Sequence, residues 1–183
     1  MRAKRAHILL LTGSPGVGKT TLVRRIIERL PAIRPRGFYT EELRERGVRR
    51  GFRAVSFDGG ERMMAHVNIE GPHRVGKYVV DLAAIDELAK NSLTLNHRHR
   101  VYVIDEIGRM ECLSSAFVDA VSLLLASEVV VVATIGARDG GFIAETKSRD
   151  DVELWHVTRA NRDELVARGV TWIEQRLNDL AGR

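Results

Sequence analysis

Residues 13–20 carry the clearest chemical signal in the sequence. They are Gly13, Ser14, Pro15, Gly16, Val17, Gly18, Lys19 and Thr20, which match the spacing G-x-x-x-x-G-K-T. Glycines at these positions let the backbone wrap closely round a polyphosphate, so that N–H groups and a following helix point at phosphate oxygens. The ammonium of Lys19 then faces the outer phosphates, and the hydroxyl of Thr20 can bind magnesium. The motif predicts a loop that holds a nucleoside triphosphate.

A second chemical signal is the acid pair Asp105–Glu106, which directly follows the apolar run from Val101 to Ile104. A carboxylate at the end of a buried strand can hold magnesium through its water shell, and we assign this role to Asp105. The next side chain of an extended chain points differently, so Glu106 is free to take a proton from an attacking water. The pair favours hydrolysis, because a kinase needs only to position an acceptor hydroxyl.

Other polar residues have two interpretations each. Thr134 ends an apolar strand, where it either approaches the outer phosphate or bonds to the local backbone. Arg109 either approaches the phosphates or is solvated. The tract 97–100 is expected to cap the C-terminus of a helix rather than to bind metal, because it lacks accompanying cysteine. A cluster of arginines either contacts phosphate or nucleic acid or, as we prefer, protects a charged sheet edge from aggregation. Its members are Arg44, Arg49, Arg50 and Arg53.

The spacing of apolar residues alternates between strand and helix along most of the chain. We predict strands at 7–12, 101–104, 129–134 and 152–158, and helices at 19–30, 81–95, 114–126 and 160–180. The last helix is expected to break or kink near Gly169. Between 37 and 67, short strand-like runs separated by glycine turns predict an inserted antiparallel hairpin or meander. Cys112, Trp155 and Trp172 are expected to pack in the core.

These elements predict an α/β fold with a mostly parallel central sheet flanked by helices. The run 129–134 is almost purely β-branched and uncharged, as is typical of a strand covered by helices on both faces. We place it between the strand of the phosphate loop and the strand of the acids. The whole chain, 1–183, is predicted to be a single domain with the meander inserted at about 37–67.

Composition excludes several classes of protein. Apolar residues make up 44% and charged residues 29% of the 183, which excludes wholesale disorder and collagen-like structure. A single cysteine precludes an internal disulfide framework and favours a reducing compartment. No apolar run approaches the ~18 residues of a spanning helix, so we expect a cytoplasmic protein without a membrane partner. The net charge of +5 is modest and its bases are interleaved with acids, so nucleic acid is not a favoured partner.

Four stretches resemble the small nucleoside-triphosphatase family of thermophiles and archaea, whose human member is a cancer-related nucleoside triphosphatase. The stretches are LLTGSPGVGKTTL (10–22), GFYTEELRERGVRRGF (37–52), VYVIDEIGRMECLSSAF (101–117) and VELWHVTRANRDEL (152–165). The resemblance implies a RecA-like P-loop fold and Mg²⁺-dependent hydrolysis of ATP, GTP, CTP and UTP or TTP to the diphosphate and phosphate. It assigns nucleotide contacts to the loop 13–20 and to Val101, Tyr102, Val103, Ile104, Asp105, Glu106, Ile107 and Gly108.

This chain departs from the family pattern after Thr134. A histidine is expected near position 136, whereas the sequence reads Ile135-Gly136-Ala137-Arg138. If that histidine positions the outer phosphate in the family, Arg138 is the candidate to replace it here.

Two other functions stay open on the sequence. One is a kinase for a small molecule or nucleotide, although Glu106 and the lack of an arginine-rich lid argue against it. The other is a nucleotide-controlled, RNA-associated switch that uses the arginine cluster as its contact surface. No Asn-Lys-x-Asp motif for reading guanine occurs, so broad base specificity is expected, and we expect a monomer or weak oligomer.

Overall fold

A computed structural model describes residues 6–138 and 140–182, and within them nine strands form one sheet flanked by five α-helices. The strands are β1 (Ile8–Thr12), β2 (Arg36–Glu45), β3 (Val48–Ser56), β4 (Glu61–His66), β5 (Arg74–Val75), β6 (Tyr78–Val80), β7 (Val101–Ile107), β8 (Val130–Ile135) and β9 (Val152–His156). The helices are α1 (Lys19–Glu28), α2 (Leu82–Ser92), α3 (Ser115–Ala126), α4 (Gly141–Lys147) and α5 (Arg162–Ala181), and Glu111–Leu113 forms a 3₁₀ turn.

The sheet has the strand order β5-β6-β4-β3-β2-β7-β8-β1-β9, in which the five strands from β2 to β9 are parallel. The α/β fold is therefore confirmed. Strand β8 lies between β1 and β7 as predicted, and all six of its residues are buried. Because parallel strands end at the same edge, the residues that follow β1, β7, β8 and β9 meet there.

The predicted meander is present as β2, β3 and β4, which pair antiparallel and extend the same sheet. It continues into β6 and β5, which the sequence reading did not predict because they are only three and two residues long. The interpretation of the arginine cluster as a sheet edge is wrong for Arg53, because β3 pairs there with both β2 and β4. It holds for Arg44, which lies in the part of β2 beyond its pairing with β7 at Arg36–Phe38. The position of these arginines in the sheet decides which glutamates their guanidinium groups can reach.

Alternating residues of the strands supply two separate cores. Along β1, Ile8 and Leu10 pack with α2 and α3, whereas Leu9 and Leu11 pack with α1 and α5 on the other face. Both tryptophans are buried, and their indole N–H groups donate to Glu153 at 2.8 and 2.7 Å. Within the described part of the chain, no helix has both the length and the apolar character needed to cross a bilayer.

Helix α5 runs without a break through Gly169, contrary to the predicted kink. A Cβ at this position would lie 2.5 Å from Cδ1 of Ile26, so the glycine allows α5 to pack closely on α1. The isolated glycine thus marks a helix contact and not a helix end.

The basic tract 97–100 was expected to cap the preceding helix, but α2 already ends at Ser92. Arg100 instead donates to the carbonyl oxygen of Leu177 at 2.5 Å, near the C-terminal end of α5. Arg100 therefore provides the cation that is favourable at a helix C-terminus. The helix is α5, however, and not the helix that precedes the tract in the sequence.

Candidate functional site

The loop 13–20 joins β1 to α1. Gly16 and Gly18 have φ angles of 75° and 102°, which only glycine adopts without strain. Gly18 is the N-cap of α1 and supplies no side chain to the free N–H groups of the first turn. Lys19 reaches back across the loop and donates to the carbonyl oxygen of Gly13 at 3.1 Å. The result is a set of unsatisfied N–H groups beside one ammonium, which suits a phosphate chain.

Asp105 lies in β7, and its carboxylate is held by two threonines from neighbouring strands. Thr134, in β8, donates to Oδ1 at 2.5 Å. Thr40, in β2, donates to Oδ2 from both its backbone N–H and its hydroxyl, at 3.1 and 3.2 Å. Thr134 therefore bonds to the acid and not to the local backbone, and three donors hold the carboxylate of a residue that is only 1% exposed.

Glu106 faces the phosphate loop. Its Oε2 lies 3.5 Å from Nζ of Lys19, and 34% of its side chain is exposed. Burial raises the pKa of Glu106, the nearby charge of Lys19 opposes this rise, and the charge of Asp105 adds to it. A carboxylate with a raised pKa and an opening to solvent is a better proton acceptor than an ordinary surface glutamate.

Glu111 is a buried acid at this site that the sequence reading missed. Burial raises its pKa to about 8, and the charges of Glu106 and Asp105 add to the rise. Its Oε2 lies 2.7 Å, and Oε1 of Glu106 3.2 Å, from the position that a Cβ on Gly108 would occupy. A side chain at 108 would therefore displace one or both of these carboxyl groups.

Sequence signals for the missed residues did exist. Thr40 belongs to the stretch GFYTEE, and Glu111 belongs to VYVIDEIGRME, both of which carry the family resemblance. Neither residue has a spacing that by itself predicts a contact with Asp105 or Glu106. Their roles become visible only when β2 and the 3₁₀ turn are placed beside β7.

The remaining residues of the segment 101–108 form the interior of β7. Val101, Tyr102, Val103, Ile104 and Ile107 are each at most 1% exposed. The Tyr102 hydroxyl donates to the carbonyl oxygen of Thr94 and accepts from the N–H of Asn96. These side chains carry the acids to the edge of the sheet, and nucleotide contacts by them stay a prediction.

Two loop arginines lie at the same edge of the sheet. Arg109 follows β7 and Arg138 follows β8, and both are exposed. The position where the sequence departs from the family pattern, Gly136, is closer to the acids. A Cβ there would lie 4.0 Å from Oε1 of Glu106. A histidine at 136 would therefore stand next to this glutamate, whereas Arg138 forms no contact with it.

The residues proposed to hold Mg²⁺ are oxygen donors, as that ion requires. Thr20 lies in the first turn of α1, beside Lys19. Asp105 already accepts three hydrogen bonds, so its remaining capacity fits a hydrogen bond to metal-bound water better than direct coordination. The donor set thus fits a magnesium ion that is held mainly by phosphate oxygens and water.

Comparison with known proteins identifies close relatives along nearly the whole chain. A family model described as "NTPase" matches residues 8–168. The nucleoside-triphosphatase THEP1 of Thermotoga petrophila is 43% identical over 159 residues, covering 86% of this chain and 88% of that protein. The human cancer-related nucleoside-triphosphatase is 38% identical over 185 residues, covering 92% and 97%.

Two solved structures have the same fold. The crystal structure of THEP1 from Aquifex aeolicus has a TM-score of 0.83 and 36% identity, covering 91% of this chain and 99% of that one. The solution structure of the human cancer-related nucleoside triphosphatase has a TM-score of 0.76 and 36% identity, covering 93% and 98%. The family resemblance of the sequence is thereby confirmed, and this chain belongs to the THEP1-type family of P-loop nucleoside-triphosphatases.

Proposed function

We propose that the protein hydrolyses ATP, GTP, CTP and UTP or TTP, without strong base preference and with Mg²⁺, to the diphosphate and phosphate. The observation that carries this proposal is the approach of Glu106 to Lys19, 3.5 Å apart, beside the phosphate loop. An acid in this position can act on water that attacks the phosphate bound by the lysine. Membership of a nucleoside-triphosphatase family agrees with this chemistry.

The N–H groups of the loop 13–20 bind the phosphate oxygens, and Lys19 offsets the negative charge that develops on the outer phosphate. Thr20, and Asp105 through water, would hold Mg²⁺, which would supply further positive charge at the phosphates. Glu106 accepts a proton from water as the water oxygen bonds to the γ-phosphorus and the bond to the bridging oxygen breaks. The products are inorganic phosphate and the nucleoside diphosphate.

The test is phosphate release from five triphosphates (ATP, GTP, CTP, UTP and TTP), with Mg²⁺ or with EDTA, and without any added acceptor. We expect turnover of every nucleotide with Mg²⁺, at a slow rate of about 10⁻²–10⁻⁴ s⁻¹, as for P-loop enzymes that receive no arginine from a partner protein. Lys19→Ala should lower the rate by ~10²–10³. Phosphate release that appears only when a hydroxyl acceptor is added would indicate a kinase instead. A thousandfold preference for one base would contradict broad specificity.

Three further properties of the chain stay predictions from its sequence. The single nine-stranded sheet of the described residues supports a single domain with the meander inserted at about 37–67. We also propose a cytoplasmic location and a monomer or weak oligomer. Sedimentation of the purified protein over a range of concentrations tests the oligomeric state.

A further inference from the structure

The phosphate loop has two different flanks. Strand β1, which leads into the loop, lies between β8 and β9, and the acids lie beyond β8 on β7. The outer phosphate must face Glu106 to be attacked, so a bound triphosphate points its reacting end towards β7. Its inner phosphate and nucleoside are then directed to the other flank, which is formed by the end of β9 and the start of α5.

This second flank is packed directly against the loop. The N–H of Val157 donates to the carbonyl oxygen of Thr12 at 2.7 Å. A Cβ on Gly13 would lie 2.5 Å from the carbonyl oxygen of Val157, so only glycine permits this approach. Residues that follow β9 are therefore held at a fixed position beside the bound phosphates.

One arginine of this flank touches the loop itself. Nη1 of Arg162, the first residue of α5, donates to the carbonyl oxygen of Val17 at 3.3 Å. The same atom lies 3.2 Å from the position of a Cβ on Gly18, directly before the phosphate-binding lysine. Arg162 is nevertheless exposed, so a ligand can reach its side chain.

The start of α5 is held firmly, which fixes the direction of this arginine. The side chain of Asn161 accepts from the N–H of Thr158 at 2.8 Å and donates to the carbonyl oxygen of His156 at 2.9 Å. The neighbouring Asp163 pairs with Arg25 of α1 at 2.5 Å. The segment 157–161 contains no aromatic residue, so it offers no ring on which a base could stack.

We propose that Arg162 is the base-binding residue, and that its guanidinium plane stacks on the face of the nucleotide base. The inference rests on the proposed function, because it takes a nucleoside triphosphate as the ligand. A planar guanidinium group stacks on aromatic faces, and every base has such a face, so the contact does not discriminate between bases. This chemistry accounts for broad specificity without a motif that reads base edges.

The test is a binding measurement, because binding does not depend on hydrolysis. Dissociation constants of ATP, GTP, CTP and UTP, and of ribose 5′-triphosphate as the probe without a base, are measured by calorimetry for the wild type, Arg162→Ala and Arg162→Lys. Arg168→Ala serves as the control, since Arg168 lies in the same helix but over the ring of Trp155. Thermal unfolding of each variant checks that it is folded.

For Arg162→Ala we expect roughly tenfold or greater loss of affinity for all four nucleotides, the effect of a lost stacking contact. Affinity for ribose 5′-triphosphate should change less than twofold, and Arg168→Ala should bind all five ligands as the wild type does. Arg162→Lys should not restore binding, because it keeps the charge but lacks the plane. An equal loss for ribose 5′-triphosphate, or rescue by lysine, would overturn the proposal in favour of a loop-shaping or purely electrostatic role. A wild type that binds but does not hydrolyse would contradict the proposed function and leave this comparison intact.

Discussion

Asp105 and Glu106 are neighbours in the chain, yet their surroundings differ completely. Asp105 accepts hydrogen bonds from Thr40 and Thr134 on the adjacent strands, and it is almost fully buried. Glu106 is partly exposed and faces Lys19. The first acid is fixed in position by its hydrogen bonds, as suits an acid that orients metal-bound water, and the second has the raised pKa and access expected of a proton acceptor.

Replacing Glu106 by glutamine should therefore separate hydrolysis from binding. Glu106→Gln keeps the shape of the side chain but removes the basic oxygen, so single-turnover hydrolysis should fall by ~10²–10⁴ while triphosphate affinity is largely kept. Normal hydrolysis by this variant would show that the water is activated elsewhere.

Asp105→Asn should impair nucleotide binding as well as hydrolysis. The NH₂ group of an asparagine cannot accept from the backbone N–H of Thr40, so it must face Thr134, whose hydroxyl then accepts instead of donating. The variant can thus keep its hydrogen bonds but loses the negative charge that would orient metal-bound water. Magnesium-dependent binding and turnover should decline together. Nucleotide affinity measured with and without Mg²⁺ checks this, and an unchanged magnesium dependence would contradict the assignment of Asp105.

Glu111 should make stability depend on pH. Its pKa of about 8 in the folded protein lies above the ordinary value of 4.5, so the folded state binds the proton more tightly than the unfolded state does. Its contribution to the free energy of unfolding is present below pH 4.5 and declines as the pH rises towards 8, by at most about 1.4 kcal/mol per pH unit.

In Glu111→Gln this decline should be absent, so the variant gains stability relative to the wild type as the pH rises from 4.5 to 8. Urea unfolding in EDTA across that range measures the difference. Glu174→Gln, an exposed position of α5, provides a control that should run parallel to the wild type. Parallel curves for Glu111→Gln would show that this carboxyl group titrates normally.

At the level of strands and helices, the contact between β2 and β7 decides whether Thr40 can reach the carboxylate of Asp105. Gly37, in β2, has a φ of 113°, and a Cβ there would lie 1.9 Å from the carbonyl oxygen of Val103. The glycine thus allows β2 to approach β7 closely, and three residues later Thr40 reaches the carboxylate. The strand pairing and the site depend on the same close approach.

Gly37→Ala should therefore lower both stability and Mg²⁺-dependent hydrolysis. Gly47→Ala is a matched control, because Gly47 also has a positive φ, 79°, but its Cβ would meet no atom within 4 Å. Both variants incur backbone strain, and only Gly37→Ala adds a steric clash, so we expect it to cost roughly 1–3 kcal/mol more. Urea unfolding and phosphate release measure the two effects, and equal costs would exclude the close contact as the cause.

For the whole molecule, the distribution of charge decides whether this basic protein can bind nucleic acid. The four arginines of the cluster pair with glutamates of β2 and β4. Arg53 pairs with Glu41 and Glu61, and Arg49 pairs with Glu42, at 2.7–2.9 Å. A surface whose cations already have partners offers little free positive potential to a phosphate backbone.

We accordingly expect no salt-dependent binding of single-stranded RNA to the wild type. Replacing Glu41, Glu42 and Glu61 together by glutamine frees the arginines, and this variant should gain RNA binding that weakens steeply with salt. Fluorescence anisotropy at several salt concentrations distinguishes the two proteins. Tight, strongly salt-dependent binding by the wild type would favour the RNA-associated switch.

Local patterns in the sequence determined the alternation of strands and helices, the phosphate loop, and the position of β8 between β1 and β7. The loop depends on residues within eight positions of one another, and a strand buried on both faces is recognisable from its β-branched composition. Periodicity did not detect β5 and β6, because strands of two or three residues contain too few positions to show it.

Only the tertiary structure decided which distant side chains complete the site. Thr40 bonds to Asp105 across 65 residues of chain, and Arg162 bonds to the phosphate loop across 145. Gly169 indicated a helix break because glycine has a poor helix propensity. Packing of α5 against Ile26 outweighs that propensity. Spacing in a single sequence describes contacts within one element, whereas these contacts depend on strand order and on the close approach of separate elements.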